Sequence, residues 1–287
     1  MPRPILYRDL HCPACGSSTA HKRLYAKNDC DIFRCEECGI GRADTIGFDS
    51  AAYYTGSYFS GEHADGYSDY VGSEPVLRRE FARDVEFIRR YRRSGRLIEI
   101  GCAYGFLLDE AKGCFEVAGI ELADEAAARC RHNGLNVLTG TATAENLGRL
   151  GSADVFVLLD VLEHLPDPFD TLARCAGHLN SGGVIVLTTG DFGSRVARLA
   201  GARWRLMTPP QHLWFFTEES FRRWACRVGM HIEALEHPWK LVPLSLIGFQ
   251  LGRTIGWRPA RMAGSNWGVP VNLFDAMRVV FRQGASP

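Results

Sequence analysis

The 287-residue chain lacks a net charge: 33 basic side chains face 33 acidic ones. No overall field draws it to nucleic acid or to an anionic membrane, although a sum says nothing of local patches. It also lacks any run near the ~20 apolar residues of a membrane-spanning helix. The start, MPRPILYRDLHCPACG, has no long apolar core, so a secretory signal is not expected. Of the ten cysteines, four form two C-x-x-C pairs, and the set does not resemble a secreted disulfide framework. A reducing, cytoplasmic setting is therefore expected. The full G-x-G-x-x-G signature of dinucleotide dehydrogenases is missing as well. What remains is an ordinary globular composition, 46% hydrophobic and 23% charged. The length suits one large α/β domain plus a small appendage.

The most informative stretch is LIEIGCAYG at 97–105. An apolar run carrying Glu99 ends in a glycine turn, Gly101 to Gly105, with a helix expected from Phe106. Such turns bring backbone N–H groups and a helix N-terminus close to a ligand. A second acid, Glu121, ends the next apolar run, VAGIEL at 117–122. It stands about where a dinucleotide-type fold places its ribose-binding carboxylate, ~20 residues on.

The first module is HCPACG at 11–16 followed by RCEECG at 34–39. Cys12 and Cys15 form one knuckle, Cys35 and Cys38 the other, with 19 residues between the pairs. That spacing fits a zinc ribbon. Zinc takes four tetrahedral ligands, and a two-residue gap lets both thiolates of a knuckle reach one ion. Four thiolates leave no open position, so the zinc is expected to be structural. Cys30 is a spare thiol and His11 a possible neighbour. The metal would stabilise this module, and replacing Cys35 is expected to destabilise it while leaving the larger domain largely folded.

Residues 46–95 read as a linker or lid followed by a helix at 74–93. The Tyr- and Gly-rich lid offers Tyr53, Tyr54, Tyr58, Tyr67 and Tyr70 as covers for a ligand, Tyr58 above all; a surface loop is the plain alternative. In the helix, Val76, Leu77, Phe81, Val85 and Ile88 recur at three- and four-residue steps. The run Arg89, Arg90, Arg92, Arg93 reads as a solvated helix end. Strands then alternate with helices, with strands at 97–100, 116–121, 136–138, 154–159, 184–189, 231–235 and 276–281. Thr217 looks like a helix N-cap. The insertion at 238–271 reads as a lid or dimer-forming element rather than a membrane-surface helix.

EIGCAYG, GIEL, DVFVLLDVLEHLPDP (154–168) and LNSGGVIVLTT (179–189) resemble, in that order, the motifs of class I S-adenosylmethionine (SAM)-dependent methyltransferases. The likeness runs from about residue 97 to 229. One departure is Ala103, where the family has a glycine; a negative φ would still let the backbone approach a ligand. The resemblance implies an α/β, Rossmann-like fold. Its seven-stranded, mostly parallel sheet would have order 3-2-1-4-5-7-6, with the last strand antiparallel, and the zinc ribbon (1–45) would precede the catalytic domain (96–287). It further implies that Glu99, Gly101, Cys102, Ala103 and Gly105 lie under the methionine part of SAM. Glu121, with Leu122 beside it, would take the ribose hydroxyls. Thr141 and Ala142 would lie against adenine, and Asp160 would face the pocket.

Methyl transfer to oxygen or carbon requires removal of a proton. Histidine has the unperturbed pKa nearest neutrality. His164, in DVLEHLPDP, stands at the motif position where similar sugar O-methyltransferases have a proposed base. His212, in TPPQHLWFF (208–216), is the second candidate and Asp191 a third. The expected function is methyl transfer from SAM to a small-molecule acceptor, a saccharide, nucleotide-sugar or secondary metabolite, on oxygen or carbon. No nucleic acid or membrane partner is expected, and the chain would act as monomer or homodimer. One alternative is a zinc-ribbon methyltransferase of ribosomal RNA bases. Another is a non-catalytic zinc-ribbon protein that binds a partner.

Overall fold

The computed structural model describes residues 6–45, 69–248 and 266–284. Tyr53, Tyr54, Tyr58 and Tyr67 lie outside them. The main sheet is built on strands whose residues are buried on both faces. β5 (Gly95–Ile100) and β8 (Ala153–Leu159) read as near-continuous apolar runs, as central parallel strands do. Successive side chains point to opposite faces. Ile98, Ile100, Phe156 and Leu158 therefore join one core layer, and Leu97, Val155 and Val157 the other. The second layer is covered by α1 (Glu74–Ile88), α2 (Phe106–Ala111) and α3 (Asp124–His132). The first is covered by α4 (Ala144–Leu150), α5 (Pro168–Gly177) and α7 (Glu218–Arg227). Between α5 and α7 runs the short α6 (Arg195–Ala200).

The remaining strands are β6 (Phe115–Glu121), β7 (Asn136–Thr139), β9 (Leu179–Gly190), β11 (Met230–Glu236) and β14 (Ala276–Gln283). Their order is β7-β6-β5-β8-β9-β14-β11, which is 3-2-1-4-5-7-6 in chain order within this sheet. β14 runs antiparallel to both β9 and β11. The fold is thus the one the motifs imply. Thr217 caps α7 through a reciprocal pair with Ser220, which satisfies two of the helix's first N–H groups.

The N-terminal strands β1 (Tyr7–Cys12), β2 (Ser17–Lys27), β3 (Cys30–Cys35) and β4 (Gly41–Asp44) form an antiparallel sheet. That sheet is completed by β10 (Trp214–Phe215), which pairs with β4. Ala43 N–H donates to Leu213 O at 2.9 Å, Asn28 Nδ2 to Pro209 O at 2.7 Å, and Thr217 Oγ1 to Cys38 O at 2.7 Å. Cys12, Cys35, Cys38 and Ile40 pack in one cluster with Phe216, Phe221 and Trp224. The cysteine module therefore shares its core with the 208–224 segment. At the described ends of the insertion, β12 (Lys240–Pro243) and β13 (Gly268–Val271) pair antiparallel. No helix among the described residues is long and apolar enough to cross a membrane.

Candidate active site

The carboxyl ends of the parallel strands meet at one edge. β5 leaves it through Gly101 and Gly105, both left-handed at φ 74° and 76°. A Cβ on Gly101 would lie 2.5 Å from Val161 Cγ2, and one on Gly105 2.5 Å from Leu135 Cδ1. Gly101→Ala should therefore cost about 1–2 kcal/mol in backbone conformation alone, plus the clash. Denaturant unfolding checks it; an unchanged midpoint would contradict this geometry.

Ala103 is left-handed as well, φ 46°, so the negative φ named above as the condition for close approach is not met. Its N–H donates to Glu121 Oε2 at 2.8 Å, and its carbonyl accepts from Cys130 Sγ at 3.3 Å. Glu121 Oε1 accepts from Ala123 N–H at 2.8 Å. Glu121 thus ties the glycine turn to the turn after β6, and a carboxylate with four lone-pair sites keeps capacity for further donors. Burial raises its pKa against these backbone donors. Glu99 is 4% exposed, with Oε2 buried and without a hydrogen-bond partner. Burial, reinforced by the nearby Cys130 and Glu121, pushes it well above the usual carboxylate range. A buried polar atom without a partner beside a ligand-binding turn points to a donor on the ligand. Cys102 turns its side chain into the core, against the space left by Gly119, so only its backbone faces the edge. Leu122 follows Glu121 into the next turn. Thr141 is exposed and Ala142 buried in the turn between β7 and α4. Tyr70 stacks on Phe106 with ring centroids 5.5 Å apart.

β8 ends at Asp160, left-handed at φ 54°, followed by a 3-10 turn, Leu162–His164. Asp160 is paired with Lys240 of β12 and accepts from Thr188 Oγ1 at 2.9 Å. Against desolvation, the Lys240 ammonium holds its pKa below the usual range. The 208–216 loop then closes over the 3-10 turn: Leu213 N–H donates to Glu163 O at 2.8 Å. His164 Nδ1 is 3.1 Å from Gln211 O, and His212 Nδ1 is 2.7 Å from Leu206 O. A carbonyl only accepts, so both Nδ1 atoms carry the proton in these bonds. The two rings meet edge to face, with centroids 4.7 Å apart. Glu163, not singled out from the sequence, is buried beside them and accepts from Thr189 Oγ1 at 2.9 Å. Burial and the Asp160 charge push its pKa up to about 8. A small recess runs between Glu163, His212, Thr189, Trp204 and Trp214. Asp191 stands apart from this group, with Oδ1 on Gly193 N–H and Oδ2 3.0 Å from His237 Nε2.

Burial pushes His164 down to about 4 and His212 to about 3, the latter helped by the His164 charge. Between pH 6.5 and these values the unfolded chain binds the extra protons. Each histidine's contribution is therefore complete above pH 6.5 and lost as pH falls. The stability advantage of the native protein over His212→Asn should shrink by at most about 1.4 kcal/mol per pH unit below 6.5. Urea unfolding of both proteins at pH 7 and 5.5 measures it; a constant gap would contradict a neutral, buried His212.

At the N-terminal end, Cys12, Cys15, Cys35 and Cys38 bring their sulfurs within 4.8 Å of one another, and no described cysteine is in a disulfide. The Cys12 and Cys38 sulfurs are 3.6 Å apart. Tetrahedral Zn–S bonds of about 2.3 Å require sulfurs about 3.8 Å apart, so the set fits zinc. His11 is exposed; the histidine near Cys12 is His21, which is fully buried and bonded through Nδ1 to Thr19 O at 2.9 Å. Helix α7 closes the knuckle, with Arg227 Nη1 donating to Pro13 O at 2.9 Å.

A seven-stranded sheet of this order, with a glycine turn after its first strand and an acid ending the second, defines a SAM-dependent methyltransferase of class I. The profile of the family described as a methyltransferase domain matches residues 76–235. That is more than half of the chain, and the chain belongs to this family. It is 28% identical over 191 residues to the ubiquinone biosynthesis O-methyltransferase of Methylococcus capsulatus, covering 61% of this chain and 81% of that protein. It is 32% identical over 130 residues to the protein of the same name from Caulobacter sp. (strain K31), covering 42% of this chain and 52% of that one. The chain thus spans about half the length of the second relative. Among solved structures, a SAM-dependent methyltransferase from Archaeoglobus fulgidus superposes with a TM-score of 0.51 at 16% identity, over 78% of this chain and 98% of that one. That likeness concerns the fold.

Proposed function

We propose that this methyltransferase moves the SAM methyl group onto a hydroxyl oxygen of a small-molecule acceptor held before His164 and His212. The observation that carries the reading is the imidazole pair, brought to the carboxyl edge of the sheet by two separate loops, each ring fixed through Nδ1. The O-methyltransferase names of the relatives support oxygen as the acceptor atom. The acceptor oxygen attacks in line. The oxygen–carbon bond forms as the carbon–sulfur bond breaks, S-adenosylhomocysteine leaves, and the hydroxyl proton passes to His164. Neutral imidazole at pH 7 takes that proton as the hydroxyl gains acidity late in the step.

For the donor, the unpartnered Glu99 oxygen suits the ammonium of the methionine part. The backbone from Gly101 through Cys102 and Ala103 to Gly105 lies beneath it. Glu121, beside Leu122, takes the ribose hydroxyls, Thr141 and Ala142 border adenine, and Asp160 faces the pocket. Cys12, Cys15, Cys35 and Cys38 hold one structural zinc. Mass spectrometry of cellular metabolites with and without the protein tests the function. Pairs of small molecules differing by one methyl group are expected; a methylated ribosomal RNA base as the sole difference would overturn the reading.

A further inference from the structure

The N-terminal module brings a positive charge to the acceptor edge. Arg42 of β4 stands directly opposite Trp214 of β10, and residues so paired share one face of a sheet. The Arg42 guanidinium carbon lies over the Trp214 ring, 5.4 Å from its centroid. Trp214 in turn lines the recess with Glu163 and His212, and its Nε1 donates to Pro166 O, just past His164, at 3.2 Å. The strands come this close because β4 begins at Gly41, where a Cβ would lie 2.9 Å from Phe192 Cε1. Two other arginines of this sheet are neutralised, Arg8 by Asp44 at 2.8 Å and Arg23 by Asp31 at 2.6 Å. Arg42 is half-buried, yet its side chain has neither an ion pair nor a hydrogen bond among the described residues.

Contact with the indole face fixes the plane of a guanidinium and leaves the N–H donors along its edge free. That fork matches two oxygens of a carboxylate or a phosphate. The acids nearby do not repel an anion. Glu163, pushed up to about 8, is mostly protonated at pH 7, and Asp160 is paired with Lys240. We propose that Arg42 takes an anionic group of the acceptor, a carboxylate or a phosphate, so that the cysteine module supplies a specificity-determining residue to the catalytic domain. The acceptor's hydroxyl is then held before His164 and its anionic group at Arg42. Arg42 stands away from the reacting atoms, so its loss weakens acceptor binding and spares the chemical step. Its use in methyl transfer rests on the function proposed above; its anion binding does not.

Benzoate, phenyl phosphate and the neutral benzyl alcohol are the probes. Each is titrated into the full chain at low chloride, and the NMR signal of the Trp214 indole N–H, assigned with Trp214→Phe, is followed. At least one anion is expected to shift that signal and to bind at least about tenfold more tightly than benzyl alcohol, through a charge-assisted pair of bonds. The tighter of the two anions identifies the group as carboxylate or phosphate. Arg42→Met keeps an apolar stem over the indole and should erase the preference for the anion, whereas Arg42→Lys should keep part of it. Unmoved signals from the other tryptophans show that both variants are folded. If neither anion binds the native chain more tightly than benzyl alcohol, or if the preference survives in Arg42→Met, the proposal is overturned. The comparison of cellular metabolites then still decides the function by itself. If the anion binds as expected but no small-molecule hydroxyl is methylated, the anion site stands and the function falls.

Discussion

His164→Ala should lower the single-turnover rate of methyl transfer by about 100- to 10,000-fold, the span expected when a proton-accepting group is lost. His164 stands on the turn leaving β8, at the sheet edge where the acceptor would lie. SAM affinity should barely change, because the donor is assigned to the glycine turn and to Glu121, on β5 and β6 rather than on this loop. His212→Ala should also slow the reaction, since its ring packs edge to face on His164. Rapid-quench kinetics with saturating SAM, alongside calorimetric SAM titration, separates the two effects. If only His212→Ala is slow, the base belongs to the 208–216 loop. If both variants retain near-full rates, orientation of the two substrates carries the reaction and neither histidine takes part.

Cys35→Ser should have the largest structural effect. A structural zinc contributes about 10–16 kcal/mol of folding free energy in small metal-bound modules at pH 7, more than the apolar core of four short strands can replace. The consequences should not stop at the module. Its β4 strand pairs with β10, and Asn28 and the Cys38 carbonyl hold Pro209 and Thr217 at either end of the His212 loop. Loss of the metal should therefore expose the 208–217 amides to hydrogen exchange together with those of β2 and β3. The central strands β5 and β8, buried on both faces, should keep their protection. Metal analysis of the native protein should find one zinc per chain from this site. A metal-free Cys35→Ser protein with 208–217 still protected would contradict the coupling.

The sheet was legible because its signals are local. Apolar runs ending in Glu99 and Glu121, glycines at the turn, and the Thr217 cap each state a strand end or a helix start within a few residues. The two C-x-x-C knuckles were legible for the same reason. The joining of module and loop was not: β10 is two residues long, and its register is set by β4, about 170 residues earlier in the chain. The left-handed Ala103 depends on a carboxylate from another strand holding its N–H, which no local pattern states. His21 reaches the cysteine cluster because its register partner on β3 is Cys35, while His11 lies on the exposed side of β1. Glu163 sits beside His164 four residues after the end of β8, so the Glu-His pair is itself a local signal of the site. That the second histidine comes from 48 residues later is a property of the fold alone.

The placement of SAM against the glycine turn and Glu121 is tested most directly by a calorimetric titration of SAM into native protein and Glu121→Gln. The amide keeps the shape of the side chain but removes its charge and turns an NH₂ toward a site built for donors. One SAM per native chain is expected, with affinity lower by about 2 kcal/mol, roughly thirtyfold, in the variant. No binding by the native protein, or equal affinity in the two, would contradict it.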